Sequence, residues 1–172
     1  MSHRSTASVP YGQTIMSEPT LLLSESAFAA MRTAANAALP LETGGILVGV
    51  YVDGQPWVTR AIELASTHRG RNHYRIPGGA TRPAVKAARA EDSRLGYLGD
   101  WHSHPADSGP SPTDLASLAL VSYRRPRRPN PTMVVIRRRA DHYVLDVRRT
   151  VGIHVRVCDV RLAGDLPNPE DP

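Results

Sequence analysis

The tightest constraint on folding lies in the last third of the chain. There TMVVIRR (132–138), HYVLDVRR (142–149) and IHVRVCDV (153–160) follow one another with only a few residues between them. Each alternates apolar and polar positions and is rich in β-branched side chains, which predicts three strands with one face towards a core. Strands in such a cluster need partners upstream. ETGGILVGVYVDGQPWVTRAIEL (42–64) reads as two strands about a DG turn, a hairpin by turn chemistry, YLGDWHSH (97–104) as another strand, and HYRIP (73–77) as a further candidate. Helical spacing marks SESAFAAMRTAANAAL (24–39), with Ser24 as N-cap and Pro40 as stop, then residues 80–96, then Pro112 to Tyr123. The order αββ(β)αβαβββ predicts an α/β fold, a mixed β-sheet flanked by helices in two or three layers, rather than βαβ repeats.

A chain of 172 residues can bury such a sheet without disulfides, and its single cysteine, Cys158, permits no intrachain one. That usage fits a reducing compartment. The first eighteen residues lack the apolar core of a secretory signal and no later apolar run is long enough to span a bilayer, so the expectation is a cytoplasmic protein without a membrane partner. Composition predicts disordered tails at 1–18 and 165–172 around one domain at 19–164. The formal charge of +5 is concentrated in the C-terminal part, in YRRPRRPNP (123–131) and IRRRAD (136–141). Neither run has aromatic residues interleaved as base-stacking platforms, so they read as solvated arginines rather than a nucleic-acid surface.

GDWHSHPADSGPSPTD (99–114) carries the chemistry. On a strand, residues two apart share a face, so His102 and His104 present both imidazoles on one side and Trp101 packs in the core on the other. Two imidazoles and a carboxylate form a donor set that zinc favours, with Asp114 as the natural third ligand. Ser111-Pro112-Thr113-Asp114 is equally a helix-start pattern, Ser at N-cap, Pro at N1 and an acid at N3. The two roles are compatible, because a helix N-terminus is a stiff base from which to aim a carboxylate at a cation. His68, His73, His142 and His154 are scattered and read as surface or strand histidines, and Cys158 as a small buried hydrophobe.

Glu42 stands one residue before a Gly pair and a buried strand. Together, Glu42-Thr-Gly-Gly-Ile-Leu-Val-Gly and, some sixty residues on, His-Ser-His-Pro followed by Ser-x-x-Asp resemble the signature of the JAMM (MPN-plus) metalloprotease family, over residues 24–149. The resemblance implies a JAB/MPN domain of cytidine-deaminase-like fold with one catalytic Zn2+. It implies His102, His104 and Asp114 as metal ligands, Glu42 as general acid/base and Ser111 as oxyanion support. It also implies hydrolysis of peptide or isopeptide bonds beside a ubiquitin-like or sulfur-carrier protein, in some relatives within bacterial conjugation or antiphage pathways. The loop PADSGP is one residue shorter than is usual there, which implies an altered loop path more than an altered ligand set. A substrate tail is expected to lie as an extended strand along a sheet edge beside the metal, between the loops at 66–83 and 105–110. Two rival readings are a metal-dependent phosphoesterase or nuclease, which would need ligands for a second metal, and a non-catalytic scaffold of the same fold.

Overall fold

Asp53 and Gly54 both take positive φ, 50° and 76°, so the DG turn has the backbone that lets β2 (Gly44–Val52) and β3 (Gln55–Glu63) pair antiparallel. This hairpin belongs to a computed structural model that describes residues 19–124 and 130–167. The expected tail at 1–18 and much of the basic run at 123–131 lie outside the described residues, as do 168–172. The remaining elements are β1 (Thr20–Ser24), α1 (Glu25–Ala38), α2 (Thr81–Glu91), β4 (Gly96–His104), α3 (Pro112–Arg124), β5 (Thr132–Arg139), β6 (His142–Val151), β7 (His154–Val157) and β8 (Asp159–Ala163). They form one mixed sheet in the order β7-β6-β5-β4-β2-β3-β1-β8, with β4–β5, β1–β3 and β1–β8 parallel.

Where IHVRVCDV was expected to be one strand, the chain breaks at Cys158. The Cys158 amide donates to Val147 O of β6 while the next amide, that of Asp159, donates to Pro19 O ahead of β1. A single residue thus passes from one margin of the sheet to the other, which requires the sheet to curl until its margins nearly meet. β1, short and apolar, carries no strand signature of its own, because its partners β3 and β8 are distant in sequence. HYRIP is not a strand either: only an isolated bridge joins Arg69 and Tyr74, and Pro77 has no amide to extend it. α2 ends at Glu91, short of Gly96, where the Asp92 carboxylate accepts from the Arg94 amide (2.9 Å) and turns the chain.

The helices lie on both faces, which settles the arrangement as three layers. Ser24 Oγ accepts from Ala27 N (3.1 Å) and starts α1, whose Ala27, Met31 and Ala35 pack with Leu47, Val58, Trp101, Val134 and Ile136. The alternate residues of the same strands face α2 and α3: Ile46 and Val48 meet Val85 and Ala88, while Met133 and Val135 meet Leu118. Trp101 is therefore buried on the α1 face, and His102 and His104 belong to the face that α3 covers. Cys158 is buried against the α1 core, as a small hydrophobe would be. After β8, Ser26 donates to Asp165, Leu166 packs against the cluster of Ile46, Val48 and Val85, and Arg94 donates to Pro167 O. No described helix is long and apolar enough to cross a membrane.

The Gly pair is a packing requirement. A Cβ on Gly45 would stand 1.9 Å from Ile62 O, and one on Gly44 would stand 2.4 Å from Trp101 O and 2.7 Å from the Tyr74 ring. Gly45→Ala is expected to destabilise the fold by about 1–3 kcal/mol, the usual range for overpacking, measured as a lowered urea midpoint at unchanged m-value.

Candidate metal centre

Period-two geometry brings His102 and His104 together: their Nε2 atoms lie 3.1 Å apart. Asp114 reaches them from the start of α3. There Ser111 N donates to Asp114 Oδ2 (2.6 Å) and Asp114 N donates to Ser111 Oγ (3.2 Å), a reciprocal capping box with Pro112 in the first helical position. The same carboxylate places Oδ1 3.4 Å from His102 Nε2 and Oδ2 3.7 Å from His104 Nε2. One donor atom from each of the three residues falls within 4.8 Å of the others. The carboxylate that closes the cap is thus the same one that faces both imidazoles.

Glu42 is only 5% exposed, and its Oε1 lies 3.9 Å from His104 Nε2. Its position is fixed through the backbone. Gly44 is in register with His102, Thr43 N donates to Ser103 Oγ (3.0 Å), and Ser103 N donates back to Thr43 O (2.8 Å). The residue between the two histidines thus clamps the segment bearing Glu42, a role for Thr43 and Ser103 that sequence reasoning did not find. The clue was the small polar side chain inside an otherwise apolar strand face.

The electrostatics suit a cation. His104 Nδ1 lies 2.7 Å from Ser108 O, and because a carbonyl only accepts, Nδ1 carries the proton and Nε2 keeps its lone pair. Burial, opposed by that hydrogen bond, pushes the His104 pKa below its ordinary value, favouring the neutral ligand form. For Asp114, burial would raise the pKa, but the hydrogen bond and charge of His102, with the Ser111 hydroxyl and amide, outweigh it and hold the carboxyl well below the usual range. Burial pushes Glu42 the other way, up to about 7, with His102 lowering it and Asp114 raising it. Two carboxyls facing the same imidazoles are thereby driven apart, one towards a permanent anion and the other towards a group that exchanges protons near neutrality.

Two loops border the cluster. The 105–110 loop supplies Ser108 O and is tied down by Asp107, which accepts from Arg137 and from Arg139 (2.8 Å), while Arg137 also bonds Asp146. The other is a tight hairpin at 66–75, whose Gly70 O accepts from the Glu42 amide (2.8 Å). His73 lies in that hairpin and is exposed. β4 is hydrogen-bonded to β2 on one side and to β5 on the other, and the margins of the sheet are β7 and β8.

A family profile described as prokaryotic homologs of the JAB domain matches residues 24–150. No curated protein matches the sequence. Among solved structures, the solution structure of a Desulfitobacterium hafniense protein superposes with a TM-score of 0.68 at 23% identity, covering 86% of this chain and 95% of that one. At that identity the likeness speaks for the fold alone.

Proposed function

The chain belongs to the family of prokaryotic homologues of the JAB domain, and from that premise we propose that it is a zinc-dependent peptidase or isopeptidase. Its substrate in this reading is the amide bond at the C-terminus of a ubiquitin-like or sulfur-carrier protein. The observation that carries the reading is the convergence of two imidazoles and the Asp114 carboxylate on one point with a buried Glu42 3.9 Å from His104. Among the described residues, His102, His104 and Asp114 are the one group able to hold a metal, which disfavours a two-metal phosphoesterase.

His102, His104 and Asp114 would hold the ion. When bound there, zinc supplies Lewis acidity towards a carbonyl oxygen and a water beside it. Glu42 takes a proton from the attacking water as its oxygen bonds to the scissile carbonyl carbon. The same carboxyl then gives that proton to the leaving nitrogen as the C–N bond breaks, a lysine side-chain nitrogen where the bond is an isopeptide. The Ser111 hydroxyl donates to the oxygen that gains charge.

Ser111→Ala is expected to lower kcat about 10²-fold if the hydroxyl donates to that oxygen, measured beside the melting temperature. Unchanged kcat with a lowered melting temperature would leave Ser111 as a helix cap only. The reading itself is tested by incubating the zinc-loaded protein with ubiquitin-like fusions that carry a C-terminal extension. Cleavage at the fusion junction, abolished by chelator and restored by zinc, is the result expected. Cleavage that survives the chelator, or none on any fusion, would contradict it.

A further inference from the structure

From Ala65 to Ala80 the chain carries Arg69, Arg71 and Arg75 and no Asp or Glu. This stretch folds as the hairpin at the Glu42 side of the site. Arg75 N donates to His68 O (3.1 Å), Gly70 N to His73 O (2.8 Å), and Ser66 Oγ to Arg75 O (2.7 Å), which leaves Arg71 and Asn72 at the tip. The tip is held against the catalytic face because Gly70 O takes the Glu42 amide. Its root is pinned by Tyr74, whose hydroxyl donates to Leu64 O (2.6 Å).

The contrast with the opposite wall is one of charge. There, Arg137 and Arg139 are matched by Asp107 and Asp146. On the hairpin, Arg71 and Arg75 are exposed, and none of the three arginines has a carboxylate partner among the described residues. Glu63 and Asp100 act on Tyr74 as Arg69 does and, while also accepting from the Thr43 and Tyr97 hydroxyls, remain anions that offset the charge of Arg69, which leaves Arg71 and Arg75 as the uncompensated pair. Like charges at Arg71 and Arg75 on one small turn repel each other, and an incoming carboxylate relieves that repulsion.

We propose that the 66–75 hairpin is a specificity subsite that selects substrates bearing a carboxylate near the scissile amide, with Arg71 and Arg75 as the contacting residues. Arg71 follows directly on Gly70, whose carbonyl takes the Glu42 amide, so the carboxylate is sought within the first few residues from the scissile bond. This deepens the hydrolase reading and rests on it. The carboxylate can be a Glu or Asp side chain or the free C-terminus of a short leaving segment, and both offer the guanidinium the same fork of acceptor oxygens.

The test uses one Gly-Gly amide peptide series with Glu, Gln or Lys two residues past the scissile bond, each with a free or an amidated C-terminus. Cleavage is followed with the zinc-loaded protein, and binding by fluorescence anisotropy with zinc-loaded Glu42→Gln. The ratio of kcat/KM for Glu over Gln, or for free acid over amide, is expected to be roughly 5- to 20-fold and to shrink with added salt, as it must for exposed charges. It should fall towards unity in Arg71→Glu and in Arg75→Glu, with Arg71→Lys retaining part of it and zinc content unchanged in all three. The Glu and free-acid arms tell which source the hairpin takes. Equal rates and equal binding for Glu, Gln and Lys in the unsubstituted hairpin overturn the subsite, as does a preference that survives both charge reversals. Carboxylate-dependent binding without turnover of any peptide would sink the hydrolase reading while leaving the anion-binding hairpin standing.

Discussion

Glu42→Gln is expected to bind one equivalent of zinc as the native protein does and to lose roughly 10²- to 10⁴-fold in kcat, the range that a positioned acid or base contributes. The substitution keeps shape and volume in a site where Glu42 is buried, so the clamp between Thr43 and Ser103 should survive it. What it removes is the ability to accept a proton and return it. The measurement is kcat alongside metal content by elemental analysis. A native rate with full metal would assign proton transfer to some other group, and loss of the metal would make Glu42 a ligand rather than a base.

Asp114→Ala should do the opposite, removing the metal first. Substituting groups that merely orient ligands typically costs 10- to 100-fold in metal affinity, so loss of a ligand itself is expected to exceed roughly 100-fold. The carboxylate also accepts from the Ser111 amide. The start of α3 should therefore weaken by about 1 kcal/mol, the ordinary scale of a lost cap. Asp114→Asn separates the two effects, since its side-chain oxygen can still cap while the anionic charge is gone. Competition against a fluorescent chelator reads affinity and thermal unfolding reads the cap. Native affinity in both variants would exclude Asp114 from the metal.

The half of the site on β4 was legible because period-two geometry is local: once YLGDWHSH is a strand, His102 and His104 must share a face. Asp114 was legible for a similar reason, since Ser-Pro-x-Asp announces a helix start. Glu42 was not legible from spacing. It joins the site through the register of Gly44 with His102, a contact between segments about sixty residues apart that only the resemblance to a family could anticipate. Two further features escaped for the same physical reason. β1 and β8 are short strands that exist by pairing with each other, β1 also with β3. The proton on His104 is fixed by the Ser108 carbonyl, and a backbone oxygen leaves no mark in a sequence. That β4 pairs on both sides was not legible either, because nothing in a strand's own pattern tells whether one neighbour pairs with it or two.

The central claim is a single ion held by His102, His104 and Asp114 with Glu42 beside it but not bound to it. Anomalous diffraction from crystals of the zinc-loaded protein, recorded across the zinc edge, addresses that directly. One peak within coordination distance of both Nε2 atoms and an Asp114 oxygen, with the Glu42 carboxylate outside that distance, is the result this account requires. A peak elsewhere, a second ion in the same cleft, or Glu42 among the coordinating groups would contradict it.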